Sequence, residues 1–455
     1  LKDELHYNKP VSIHEYPFSG LQRVFSSFRY HVAASDRRGN NRMTMTEFLT
    51  LLPPHDARSR WLSAWPALKP AAEETHLLQA LGRVTAAAVL APHALPEFAR
   101  STMDGYAVHA ADTFGASDSL PAYLAVVGEI PMGRQPEFGL KPAQAAVIHT
   151  GGMLPEGADA VVMLEHTQSA RAGEIEVLRA AAPAENVIRV GEDVVQGQVV
   201  IPAGVRLRPA EIGGLAALGI QYLEVVRRPR IAIISSGDEV VPLEAQALAG
   251  QVRDVNSYAL TALVEKEGGI AVRYGIVADD AQALSDALAR AIQACDGVMI
   301  TAGSSASTRD LTAQVIQAAG APGVLVHGVN VRPGKPTILA VCGSTPVIGL
   351  PGNPVSALVI ADLFAVPMVA RLQGLAHPRP QGAILAQLTV NLASQAGRED
   401  WIPVQIGGEP GDFQATPIFF KSNLIFNLSR ADGLLYIPAD ATGFAAGERV
   451  EVYPI

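Results

Sequence analysis

Four short polar stretches, each following an apolar run, hold most of the side chains in this sequence that could do chemistry. SSGDE (235–239) follows RIAII, ADD (278–280) follows RYGIV, AGSSASTRD (302–310) follows GVMIT, and LPGNP (350–354) follows TPVIG. Together they supply the carboxylates of Asp238, Glu239, Asp279, Asp280 and Asp310, with Ser, Gly and Asn groups that donate hydrogen bonds. The hydroxyl-rich loop with Ser304, Ser305 and Ser307 opens a helical pattern, so its backbone N–H groups form a plausible phosphate cradle. Carboxylates beside a phosphate repel it unless a hard divalent cation lies between them. Mg²⁺ held by Glu239, Asp279 and Asp310 is therefore the natural expectation. A further segment, VRPGKP (331–336), adds Arg332 and Lys335 on a backbone constrained by proline. LPGNP sets Pro351, Asn353 and Pro354 in a rigid turn ahead of a helix. Each feature has a plainer reading: Asp279, Asp280 or Asp310 as helix caps, AGSSASTRD as an ordinary capped loop, VRPGKP as a solvated turn.

The elements that would position these loops follow from the pattern around them. Between residues 227 and 374, short continuous apolar runs alternate with helical periodicity, which predicts a doubly wound α/β domain with a parallel sheet. Ligands on such sheets bind beyond the carboxyl ends of the strands, where the four polar loops would share one rim. Residues 95–189 read as a β-rich domain, and 43–94 with 190–226 as a linker-like domain that this one interrupts. Residues 375–455 read as a small terminal β domain, and 1–42 as an unassigned extension. HLLQALGRVTAAAV (76–89) has helical spacing, while Pro53 and Pro54 interrupt an amphipathic pattern that begins near Met45.

Bulk composition excludes several classes. With 455 residues, 49% hydrophobic and 17% charged, the chain can bury several cores. A formal net charge of -9 argues against nucleic acid or an anionic membrane as partner. The two cysteines, Cys295 and Cys342, lie far apart and suggest neither a zinc site nor a disulfide framework. No uncharged apolar stretch of membrane-spanning length and no secretory leader pattern is expected, which points to the cytoplasm.

Six motifs carry a resemblance to a known family: STMDGYAV, HTGGMLPEGADAVV, GEDVVQG, SSGDEVV, VRPGKP and LPGNPVSA, spanning about residues 96–357. In this order they resemble the MoeA/gephyrin family of molybdenum insertases. The resemblance implies a homodimer of four-domain chains. Its α/β domain would be similar to stand-alone molybdopterin adenylyltransferases, its inserted domain β-rich, and its C-terminal domain a small β-barrel. The active cleft would be shared between subunits. It implies that the chain takes adenylylated molybdopterin and molybdate as substrates, inserts the metal with Mg²⁺ and releases AMP. A transient contact with a molybdopterin adenylyltransferase would supply the substrate. Carried over by motif, the functional acids are Asp104, Asp193, Glu239, Asp279 and Asp310. Thr150 matches the family's TG turn, Arg332 and Lys335 its basic pair, and Pro351 and Pro354 its two prolines. AGSSASTRD departs from the family's GGVSVGxxD-like loop, losing a Gly and the SVG core while keeping the final Asp. Adenylylation of molybdopterin from Mg-ATP, and a non-catalytic scaffold, are the alternatives.

Overall fold

A computed structural model describes residues 51–67, 70–302, 306–376, 382–419 and 421–455. The extension 1–42 and the pattern beginning at Met45 lie outside the described residues.

The apolar runs of the α/β domain form a six-stranded sheet in the order Ile270–Val277, Arg230–Ser236, Gly297–Ala302, Thr345–Pro351, Ile338–Cys342, Pro322–His327. The first four strands are mutually parallel, and Ile338–Cys342 runs antiparallel to both of its neighbours. Successive side chains of a strand face opposite ways, so Ile231 and Ile233 join one core with Leu260, Val264, Phe364 and Met368. Ala232 and Ile234 join a second with Leu284, Leu288 and Ile316 on the other face. Burial on both faces is why these strands are apolar without alternation. The parallel strands end level, with Ser236 paired to Val277 and Ala302 to Pro351, so the loops that follow share one rim as expected.

Pro354–Ile360 begins with proline at its N-terminus, where the missing N–H costs nothing. It passes through a π turn at Ala361–Ala365 into Val366–Leu372. The π turn stands just before Pro367, a residue that a regular helix interior excludes. The whole 19-residue helix is long and apolar enough to cross a membrane, yet Asp362 and Arg371 interrupt its composition and most of it is buried against the sheet.

Directly after the interruption at Pro53, Pro54 starts a helix, Pro54–Ser63. Its Ala57 and Trp61 sit in the sheet's core, the Trp61 indole N–H donating to Ala340 O at 2.7 Å. These residues thus pack on the α/β domain rather than on the linker-like one. The segment 76–89 is not a continuous helix: a strand Ala72–His76 leads into one 3-10 turn, Leu77–Gln79. Gly82 follows at φ 77°, and Val84 and Thr85 bridge to Arg206 and Val225. Leu78 and Leu81 are exposed, so the apparent period never forms one buried face.

Ala72–His76 pairs with Tyr222–Val226, and Val89–Leu90 with Val199–Ile201, around a small core of Leu77, Ile201, Leu207, Leu215 and Val225. The inserted domain is a six-stranded sheet in the order Ala160–Met163, Gly105–Val108, Gln144–Ile148, Ala122–Glu129, Glu174–Val177, Thr167–Arg171. Gly105 is required there, because a Cβ would collide with Val162 O on the neighbouring strand. The C-terminal strands Glu399–Gly407, Gln414–Pro417, Ile384–Leu388, Arg449–Pro454 and Gly433–Ile437 close on themselves as a five-stranded barrel.

Trp61→Ala is expected to destabilise the α/β domain by about 3–5 kcal/mol, through an unfilled cavity and the unpaired Ala340 carbonyl. A fall in the denaturant midpoint of that domain's unfolding transition would show it. An unchanged midpoint would return Pro54–Ser63 to a peripheral role.

Candidate functional site

At the rim, Asp280 is the cap: its carboxylate accepts from Ala283 N at 2.9 Å at the start of Ala281–Ala294. That leaves Asp279 for another role. Its carboxylate accepts from Ser236 Oγ at 2.5 Å, and its own N–H donates to Asp238 at 3.2 Å, so three rim residues are tied together. Glu239 is exposed on the adjacent loop. Asp310 lies inside Ala306–Ala318 rather than at its cap, partly buried. Ser304 and Ser305 lie outside the described residues, as does the side chain of Ser307. Among the described residues no three His, Cys, Asp or Glu side chains are gathered as a metal cage.

Beside the rim, at the end of Thr345–Pro351, opens a cleft of about 790 Å³ lined by Arg332, Lys335, Pro351 and Asn353. Its size is that of a small-molecule site. Pro354 stands just behind, opening its helix. Gly334 shapes the wall: at φ 118° it is held where L side chains are strained, and a Cβ would run into Ile360. The opposite wall comes from the barrel domain, through Gln395, Gly397, Arg398, Lys421 and Ser422. Asn353 Nδ2 donates to Ser422 Oγ at 2.9 Å, and Asn256 Nδ2 to Gly352 O at 2.8 Å, fixing the LPGNP turn between two neighbours. With Arg309, five cationic side chains and no carboxylate line the cleft among the described residues. Beneath it lies fully buried Asp400, which accepts from Arg398 Nε at 2.8 Å and from Ser394 Oγ at 2.9 Å. Arg332 Nη1 stands 3.5 Å from the same carboxylate.

Arg309, Arg398, Lys421 and Asp400 were not singled out in the sequence. Arg309 stands in the helix Ala306–Ala318 and Lys421 in a loop of the barrel domain, while pairing of Val331–Arg332 with Glu399–Asp400 brings the segment of Arg398 and Asp400 to the cleft. Burial pushes the Cys342 thiol up to about 11 and raises that of Cys295, which disfavours the thiolate form of both.

Asp104, Thr150 and Asp193 do not line this cleft. Asp193 sits exposed on a turn in the linker-like domain, its N–H on Leu95 O. Asp104 and Thr150 meet in the inserted domain, where the Thr150 N–H donates to the Asp104 carboxylate at 2.7 Å and its hydroxyl at 3.1 Å. The Asp104 carboxyl is held below its ordinary value by the Thr150 N–H first, then the Thr150 hydroxyl, with a smaller contribution from nearby His149.

Three family models match in succession: "MoeA N-terminal region (domain I and II)" over residues 52–219, "Probable molybdopterin binding domain" over 232–371, and "MoeA C-terminal region (domain IV)" over 386–455. The chain is 35% identical to a molybdopterin molybdenumtransferase of Nostoc over 385 residues, covering 84% of this chain and 88% of the relative. It is 31% identical to that of Haemophilus influenzae over 412 residues, covering 89% and 98%. The chain belongs to the MoeA family. A solved structure of a molybdopterin biosynthesis moeA protein from Pyrococcus horikoshii matches with a TM-score of 0.77 at 31% identity, covering 89% of this chain and 100% of that one. The cleft of this MoeA chain therefore lies where the molybdopterin-binding region meets the C-terminal domain.

Thr150→Val is expected to move the Asp104 carboxyl back toward its ordinary value, but only in part, because the stronger backbone N–H bond survives. A carboxylate with a lowered pKa stabilises the fold above its unfolded value and loses that contribution as pH falls through the folded one. The effect therefore lies below about pH 4. Titration of the Asp104 carboxyl carbon by NMR checks it, and an unmoved titration would show that the hydroxyl does not hold the acid.

Proposed function

We propose that the chain is a molybdopterin molybdenumtransferase, which inserts molybdenum from molybdate into adenylylated molybdopterin and releases AMP in the last step of molybdenum cofactor assembly. The observation that carries this is the wholly cationic cleft at the strand ends, beside a rim of carboxylates. A ligand with a pyrophosphate link and an oxyanion co-substrate both call for concentrated positive charge in a chain whose net charge is negative.

Cleaving the pyrophosphate link puts negative charge on the departing phosphate oxygen. Arg332 and Lys335 stand ready to bind the phosphates and offset that charge as it grows. Arg332 presents a planar fork and Lys335 a point charge on the same Gly-Pro constrained turn. Pro351 and Asn353 hold the facing wall through Ser422, which keeps the cationic groups at fixed separation. Of Glu239, Asp279 and Asp310, one or two would hold Mg²⁺, an ion that commonly takes one or two carboxylates and completes its shell with substrate phosphate and water. When bound, Mg²⁺ supplies a Lewis acid for the phosphate oxygens. Ser236 orients Asp279 for that task.

Asp104, Thr150 and Asp193 enter this reading through a homodimer, in which the partner subunit's Asp104 completes the cleft. The open side of the cleft and the exposed Asp104 support that arrangement. A transient contact with a molybdopterin adenylyltransferase would deliver the adenylylated ligand without its release. A cytoplasmic setting agrees with two free buried thiols.

Purified protein given adenylylated molybdopterin is expected to release AMP only when molybdate is added. Lys335→Gln should reduce kcat/KM about 10²- to 10³-fold. Release at the wild-type rate by both Asp279→Asn and Asp310→Asn would remove those acids from the mechanism. Pyrophosphate formed from Mg-ATP and molybdopterin would identify adenylylation instead, and binding without turnover a scaffold.

A further inference from the structure

The inserted domain brings three ionisable side chains to one edge of its sheet. Gly105–Val108 runs antiparallel to Gln144–Ile148, with Gly105 opposite Ile148, and Gln144–Ile148 runs parallel to Ala122–Glu129, with Val147 opposite Glu129. The start of the first strand thus meets the ends of the other two, and Asp104, His149 and Glu129 stand together there. The turn that follows His149 is fixed by its backbone: the Gly152 N–H donates to His149 O at 2.8 Å, and the Gly151 N–H to Ser101 O at 2.8 Å. A Cβ at Gly152 would run into His149 O, so the turn keeps this form only with glycine.

His149 lies between the two carboxylates. Its Nε2 is 3.0 Å from a Glu129 oxygen, and its Nδ1 is 3.8 Å from Asp104 Oδ1. Ionised carboxylates only accept hydrogen bonds, and a neutral imidazole has one donor and one acceptor nitrogen. Only a ring protonated on both nitrogens faces both acids without setting a lone pair against one of them. The charged side chains Arg100, Arg134 and Glu165 on neighbouring segments form no ion pair with any of the three. The contacts to Asp104 all fall on one oxygen: the Thr150 N–H and hydroxyl donate to Oδ1, and His149 faces the same atom. Oδ2 has no hydrogen bond among the described residues, and the side chain is more than half exposed. We propose that His149 is a positioning residue for the reaction: with Glu129 behind it, its imidazolium joins Thr150 in holding Asp104 by Oδ1, leaving Oδ2 for the ligand. The acid is then fully set only while His149 carries its second proton. This inference rests on the proposed function, in which Asp104 completes a cleft.

The test is molybdate-dependent AMP release by the full chain as a function of pH, for wild type, His149→Gln and Glu129→Gln. Both substituted side chains are exposed, so both variants should fold. Imidazoles generally change charge between about pH 5 and 8, so the contribution of His149 is present at the acid end and lost as pH rises. The kcat/KM of wild type divided by that of His149→Gln is expected to be about fivefold at about pH 5.5, the size of an exposed charge pair. At about pH 8.5 the ratio should approach one. Glu129→Gln should move this dependence to lower pH, because losing one carboxylate makes the imidazolium easier to deprotonate. A side chain that only props up the turn would change the rate by the same factor at every pH. A ratio that does not vary with pH, in protein that turns over, would therefore overturn this inference and leave the proposed function intact. Titration of the Asp104 carboxyl carbon by NMR gives a readout free of turnover: it should rise in His149→Gln, and an unmoved value would also overturn the role. Wild-type protein that releases no AMP with molybdate would overturn the proposed function and this role with it.

Discussion

A two-residue parallel pairing, Val331 with Glu399 and Arg332 with Asp400, joins the α/β domain to the barrel, and the cleft exists because of it. Backbone hydrogen bonding there is extended on both sides: Glu399 N–H donates to Asn330 O at 3.1 Å, and the Asn330 amide donates to Gly397 O. Beneath the pairing, Asp400 makes separation costly. Pulling the barrel away would part Asp400 from Arg332, its cross-domain ion partner, while Arg398 and Ser394 stay with it in the barrel domain. A second tie runs from the LPGNP turn, where the Val355 N–H donates to Ser422 O at 3.1 Å and the Asn353 side chain bonds the Ser422 hydroxyl. Two walls of the cleft are thereby held by independent contacts, which is the rigidity that oriented charge requires.

What could be read from the sequence followed how local the cause was. The sheet of the α/β domain was legible because strands buried on both faces must be apolar along their whole length, and the rim followed from parallel topology. Arg332, Lys335 and the LPGNP turn were legible because proline and glycine mark constrained backbone. Arg398 and Asp400 were not, since their place at the cleft depends on a barrel strand meeting a segment 68 residues away, Val331 with Glu399. Misreadings share that origin. Residues 76–89 have helical spacing, but pairing of Val84 and Thr85 with distant segments outcompetes the helix, and Gly82 at positive φ breaks it. Pro54 opens its helix because the fixed φ of proline suits the first helical position.

The placement of the acids is a constraint of the same kind. Asp238, Glu239 and Asp279 follow the two strands at one side of the parallel set, and the cationic cleft follows Thr345–Pro351 at the other. Gly297–Ala302 and Thr345–Pro351 lie between Arg230–Ser236 and Ile338–Cys342, the strand that the basic segment leads into, so three strand spacings, roughly 15 Å, separate acidic and basic loops. At physiological ionic strength that exceeds the screening length of about 8 Å. Neither cluster neutralises the other, and a cationic cleft persists on a chain with a formal charge of -9.

This separation also bears on which ligand the rim can serve. A single phosphate would occupy the cleft and leave the acids with nothing to do. On the proposed function, a ligand that carries a pyrophosphate link would put its phosphates on Arg332 and Lys335, and a divalent cation held by the acidic loops would supply the charge that lets the same ligand reach them. Only then are both charge clusters compensated at once. Asp280 is spent on capping its helix, while Asp279 is tied to Ser236 instead, so two adjacent carboxylates have different surroundings, and on the proposed function only Asp279 would face the ligand.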